Sequence, residues 1–160
     1  MSNSDLPLLD AIQMAMEAEQ KAAAFYDNAS QKVASPLGQE LLEQLAEFER
    51  YHYAKLDDLA RSLREEGTFI DYEGKELSLS VPAEVKGKEA NKMSVLEIIT
   101  LAIDAEQAAQ DRYTALAEQS TDPAGRAMFK RLAQEEHTHY RILNDEYYHL
   151  NNDGLWVWME

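Results

Sequence analysis

Two Glu-x-x-His motifs, Glu49–His52 and Glu136–His139, stand 87 residues apart, and a single glutamate precedes each by 30 residues, Glu19 and Glu106. Residues three apart on a helix share a face, so each motif can offer a carboxylate and an imidazole to one ion. Two single glutamates plus two such motifs make the six-ligand set of a two-metal carboxylate site. The charges balance, because two divalent ions offset four carboxylates and neutral imidazoles add nitrogen without adding charge. A mixed carboxylate–imidazole set suits iron, manganese or zinc, whereas calcium and magnesium prefer oxygen shells.

The elements that must position these six residues follow from the apolar pattern. Ile12, Ala15, Met16, Glu19, Ala22, Ala23 and Tyr26 recur at helical spacing, and Leu41, Leu42, Leu45, Ala46, Glu49, His52, Tyr53 and Leu56 form a second stripe. Ile99, Ala102, Ile103, Glu106, Ala109 and Tyr113 form a third, and Phe129, Leu132, Ala133, Glu136, His139, Tyr140 and Leu143 a fourth. The four glutamates thus lie in the stripes that face a core. An unpaired buried carboxylate costs several kcal/mol, so a cluster of them demands protons or cations.

At the fixed offset of 87, residues 5–61 and 92–148 share 17 identities, including all six candidate ligands and Tyr26/Tyr113. Two copies of one unit suit two helix hairpins packed on each other rather than a solenoid. The expectation is one all-α domain over 1–160: a four-helix bundle with helices near 5–33, 36–66, 94–120 and 123–150. Ser35–Pro36 and Asp122–Pro123 read as an N-cap followed by proline at the first helical position, and Ser94-Val-Leu-Glu97 as a capping box. A crossover near 67–93 holds Gly67, Gly74, Gly87 and Pro82, with a short extended piece expected at Thr68-Phe-Ile-Asp-Tyr-Glu73. The tail 151–160 opens on a turn signal, and alternating Trp156 and Trp158 predict an extended segment that packs its rings on the bundle.

Composition narrows the partners. With 30 acidic and 15 basic residues the formal net charge is −15, which argues against nucleic acid or an anionic membrane surface. There is no cysteine, which excludes disulfides, thiolate catalysis and Cys-ligated iron–sulfur or zinc centres in these residues and fits a cytoplasmic location. The first residues lack the basic start and apolar run of a signal peptide, and no apolar stretch is long enough to span a membrane.

Among the remaining polar candidates, Tyr26 and Tyr113 lie seven residues after the single glutamates, nearly on the same face. They are candidates both for hydrogen bonding to ligand carboxylates and for plain core packing. Tyr53 and Tyr140 read as packing residues, His137 and His149 as surface residues, and Glu17 and Asp104 as solvated.

Glu19-x-x-Ala22-x-x-Phe25-Tyr26, Glu49-x-x-His52, Glu106-x-x-Ala109 with Tyr113, and Glu136-x-x-His139 resemble the ferritin-like domain of the rubrerythrin family over most of residues 5–150. The resemblance implies a ferritin-like bundle with one long crossover, often dimeric, holding two iron ions and reducing hydrogen peroxide. In the family the electrons come from a rubredoxin-type centre; without cysteine, a separate rubredoxin-like donor is expected here. Where rubrerythrins carry a further glutamate three residues after the third-helix ligand, this chain has Ala109, mirrored by Ala22. Two other functions stay open at this point: ferrous-ion oxidation for iron handling, and a metal-stapled helical interaction module.

Overall fold

The computed structural model describes residues 5–78 and 89–158. Four helices account for most of them: α1 (Asp5–Ser30), α2 (Pro36–Glu65), α3 (Lys92–Gln119) and α4 (Pro123–Asp153). They form an all-α four-helix bundle in which α1 packs on α2 and α3 on α4, as two hairpins. No described residue belongs to a strand longer than an isolated bridge, and no described helix is long and apolar enough to cross a membrane.

Two helix starts follow the expected capping, with one difference. Asp122 accepts hydrogen bonds from the Ala124 and Gly125 amides at 2.8 and 3.2 Å. Ser35 holds the N-cap position of α2 without using its hydroxyl; Glu89 accepts from the Ala34 and Ser35 amides instead. The capping box at Ser94 is not used. Helix α3 begins two residues earlier, with Asn91 at the N-cap position and its amide held by Glu89, so Ser94 falls inside the first turn.

The helix ends shift too. Helix α1 stops at Ser30, short of the expected 33, and α4 runs through Asp153, so the turn signal Asn151-Asn-Asp-Gly154 is a helix C-cap rather than the start of an extended tail. Gly154 takes the left-handed conformation (φ 71°) and donates to the His149 and Leu150 carbonyls, the usual glycine stop.

The tail beyond Gly154 places both tryptophans in the core. Trp156 lies against Gly38, where an added Cβ would fall 2.4 Å from the ring, and its indole N–H donates to Glu89 at 3.1 Å. At the repeat-related Gly125, Phe69 of the crossover makes the equivalent close approach. The crossover piece at 68–78 has neither helix nor strand pairing; Phe69, Ile70 and Tyr72 pack along the bundle. Pro82 and Gly87 lie outside the described residues.

The core divides into two apolar halves. One gathers the start of α1, the ends of α2 and α3 and the start of α4, around Ile12, Leu56, Leu59, Phe129 and Leu132. The other takes the complementary ends, around Leu41, Leu45, Ile99, Leu143 and Leu150. The repeat exchanges the two halves, so the residues between them form a single polar layer at mid-bundle.

Candidate metal centre

That layer contains Glu19, Glu49, His52, Glu106, Glu136 and His139, each no more than 2% exposed. One helix supplies each single glutamate, α1 and α3, while α2 and α4 supply the paired motifs. Ligand atoms of Glu19, Glu49, His52 and Glu136 lie within 4.8 Å of one another, and so do those of Glu49, Glu106, Glu136 and His139. Glu49 and Glu136 therefore belong to both groups, and the other four residues to one group each.

The two groups mirror each other in the distance from each histidine to its single glutamate. His52 Nδ1 stands 3.5 Å from Glu19 Oε1 and 3.7 Å from Glu49 Oε2; His139 Nδ1 stands 3.5 Å from Glu106 Oε2 and 3.7 Å from Glu49 Oε1. His52 Nδ1 also approaches Glu136 Oε1 to 2.9 Å, yet neither atom has a hydrogen-bond partner. Two donors bound to one ion at about 2.0–2.1 Å and at right angles would stand about 2.9 Å apart.

The fit is clearest in what each residue leaves unsatisfied. Glu19 Oε2, Glu49 Oε1, His52 Nδ1, Glu106 Oε2, Glu136 Oε1 and His139 Nδ1 are all buried without a hydrogen-bond partner; among the described residues only Ser35 Oγ shares that state. Each of the six residues thus aims one lone-pair atom into the same layer. Buried polar atoms are rarely left unpaired, and six converging acceptors are what cations satisfy.

Electrostatics carry the same message. Burial, reinforced by the charges of Glu19 and Glu106, holds Glu49 well above the usual carboxylate range, and burial with Glu106, Glu49 and Glu19 does the same to Glu136. Burial also works against Glu19, but a hydrogen bond from Glu49 and the His52 charge prevail and bring it down to about 2. For both imidazoles burial opposes the charged form, and the surrounding carboxylates overcome it and raise them. Without metal, the layer balances itself with protons.

The tyrosines occupy matched positions. Tyr26 donates to Glu106 Oε1 at 2.6 Å and Tyr113 to Glu19 Oε1 at 2.5 Å, each across to the other hairpin. Burial and the adjacent carboxylates push both phenols well above their usual value, so they remain O–H donors. His137 and His149 lie away from the layer, beside Gln110 and Asp153, and Glu17 and Asp104 are exposed. Tyr140 stacks on His137, and Tyr53 packs half-buried on the core.

Sequence reasoning missed Glu135. Only 4% exposed, it meets His52 Nε2 at 3.0 Å and accepts from the Tyr72 hydroxyl (2.5 Å), the Lys75 amide (2.6 Å) and Arg131 Nε (3.1 Å). Burial disfavours its charge, but the bonds from His52 and Tyr72 win and lower its pKa. An ionised Glu135 keeps a proton on His52 Nε2, which leaves Nδ1 as the atom that can give its lone pair to a metal once it sheds its own proton. The repeat-related residue is Phe48, whose ring meets the His139 ring edge-on at 4.3 Å. A break in the repeat at a buried position was the available signal.

A profile of the Rubrerythrin family matches residues 10–147. The chain belongs to the rubrerythrin family. Among solved structures, this rubrerythrin-family chain is similar to a hypothetical protein from Pyrococcus furiosus, with 26% identity, coverage of 94% of each chain and a TM-score of 0.72. That likeness identifies the bundle as ferritin-like. No protein of curated function matches.

Proposed function

We propose that this rubrerythrin-family protein is a di-iron oxidoreductase that reduces hydrogen peroxide to water with electrons from a separate donor protein. The observation that carries the reading is the set of six inward lone-pair atoms, one on each of the six residues, within a buried mid-bundle layer. Two ferrous ions bound there would supply one electron each and the donor would restore both, so that one peroxide, two electrons and two protons give two waters.

Within this scheme Glu19 and His52 hold one position and Glu106 and His139 the other. Glu49 and Glu136 would serve both positions, since each belongs to both groups. Tyr26 and Tyr113 fix the outer glutamates by donating to one oxygen and leave the other free for metal. Glu135 fixes the tautomer of His52. The two apolar halves of the core close the layer at both ends of the bundle. The absence of cysteine in these 160 residues makes an external, rubredoxin-like donor part of the proposal, as is a homodimer.

Rapid mixing of the diferrous protein with hydrogen peroxide and, separately, with dioxygen tests the reaction. Faster oxidation by peroxide is expected; equal or faster oxidation by dioxygen refutes the peroxidase reading. Glu49→Ala and His139→Ala should each lower the bound metal, and unchanged metal content in both would remove the ligand assignment.

A further inference from the structure

The metal layer is reached from one side through a cleft between α1 and α3, a space of about 360 Å³ floored by Glu19, Glu49, Glu106 and Glu136. Its walls are mostly small and apolar: Ala18, Ala22, Ala105, Ala108 and Ala109, with Phe25 and Leu101 beside them. Peroxide is a poor explanation for this volume. A water's share of liquid volume is about 30 Å³, so the cleft exceeds the needs of so small an oxidant roughly tenfold. An apolar cavity of about 150 Å³ holds a benzene ring, and on that scale the cleft has room for roughly fourteen carbons, enough for a chain of eight to ten and its head group. Its size and lining lie in the range of small-molecule sites.

The charges in the cleft are placed unevenly. Lys21 and Arg112 are its only cations. Arg50, Arg61 and Arg131 each hold a carboxylate, whereas Lys21 and Arg112 make no ion pair with any described residue. The contacts Tyr26–Glu106 and Glu19–Tyr113 show that α1 and α3 run antiparallel, since residue number rises on one as it falls on the other. On that register Lys21 and Arg112 come level with each other, and Phe25 and Leu101 both lie on the same side of that level. The repeat explains the polarity: the residues equivalent to Lys21 and Arg112 are Ala108 and Phe25, so one end of a two-fold cleft is cationic and the other apolar.

We propose that this cleft binds an amphipathic monoanion, a carboxylate carrying an apolar chain of roughly eight to ten carbons, with its head at Lys21 and Arg112 and its chain along the alanine wall toward Phe25 and Leu101. The head then meets the two cations of the cleft, neither of them held by a carboxylate, and the chain covers apolar wall that water hydrates poorly. The site goes beyond peroxide reduction and does not depend on it, because occupancy is read without turnover.

Calorimetry with decanoate, on zinc-loaded and on metal-free protein, tests the proposal. Decanoate is expected to bind both forms with a Kd below about 1 mM, at least about tenfold tighter than neutral decanol, and decyltrimethylammonium should not bind. The double variant Lys21→Ala/Arg112→Ala should erase the preference for decanoate over decanol. Ala105 is exposed, so Ala105→Trp fills the cleft without disturbing the core, and it should abolish binding while helix content and zinc stoichiometry stay unchanged. Equal binding of decanoate and decanol, binding indifferent to Ala105→Trp, or binding confined to the zinc-loaded form and indifferent to the double variant each overturns it; the last would put the head on the metals. Sedimentation supplies a further check: self-association that Leu101→Glu breaks and decanoate leaves untouched assigns this face to a second copy of the chain and overturns the proposal.

Discussion

Replacing Glu135 by Gln should weaken one of the two metal positions and spare the other. In the native protein the carboxylate serves four donors: His52 Nε2–H, the Tyr72 hydroxyl, the Lys75 amide and Arg131 Nε–H. A glutamine keeps one acceptor oxygen and turns an NH2 group toward donors, so at most two of the four bonds survive. Each hydrogen bond to a charged group is worth about 1.5–3 kcal/mol, so the metal-free fold should lose a few kcal/mol at most, after its neighbours relax. The effect on metal is more specific. Loss of the partner that orients a ligating histidine typically costs about 10–100-fold in affinity, or about 1.4–2.8 kcal/mol. Only His52 touches Glu135; His139 is backed by Phe48. Anaerobic titration of the metal-free variant with ferrous ion, or with cobalt followed by its absorption, should therefore show one equivalent weakened by that factor and the other unchanged. Equal weakening of both equivalents would mean that Glu135 acts through the fold at large. No change would mean that helix packing alone orients His52, and the tautomer argument would be refuted.

Metal-free protein should lose stability as pH rises. Glu49 and Glu136 are raised, first by burial and then by their neighbours, so the folded state keeps protons that the unfolded chain has released. Stability is then fully present below the unfolded carboxylate value and drains away toward the raised folded values. His52 and His139, also raised, add to the same trend, while Glu19 at about 2 matters only in strong acid. Urea midpoints at about pH 5 and about pH 8 should fall in that order, and zinc loading should reverse the slope because ligands must shed protons to bind metal. Tyr26→Phe and Tyr113→Phe should each cost about 1.5–3 kcal/mol and match one another in thermal unfolding, since their bonds to Glu106 and Glu19 are 2.6 and 2.5 Å long. Gly38→Ala should destabilise the fold by about 1–3 kcal/mol by driving a methyl group into the Trp156 ring, detectable as a lower denaturation midpoint at unchanged metal stoichiometry.

The legible part of this molecule is the part written twice. Glu19/Glu106, Glu49/Glu136, His52/His139 and Tyr26/Tyr113 recur at one offset on apolar stripes, and helical periodicity alone puts them in one layer. What escaped reading is written once. Glu135 stands next to a ligand, about 100° round the helix, where a surface residue is the ordinary expectation. Its burial depends on Tyr72 and Lys75 of the crossover, whose path no local pattern predicts. Glu89 escaped for a like reason: the amides of Ala34, Ser35 and Asn91 and the Trp156 indole meet its carboxylate only after three distant segments have come together. The Ser94 capping box is unused because the helix already starts at Lys92, which puts Ser94 inside its first turn.

The pairing of Phe48 with Glu135 bears on why the two hairpins share one chain. A lone hairpin associating with its own copy would assemble the same six ligands, but symmetry would force an identical neighbour behind both histidines. Covalent fusion lifts that constraint. Once each half can diverge separately, and a linker exists to lay Tyr72 and the Lys75 amide against one side only, the two metal positions are free to become chemically distinct while their ligands stay the same. Duplication conserved the ligand set, and the unequal surroundings are where the two copies have begun to specialise.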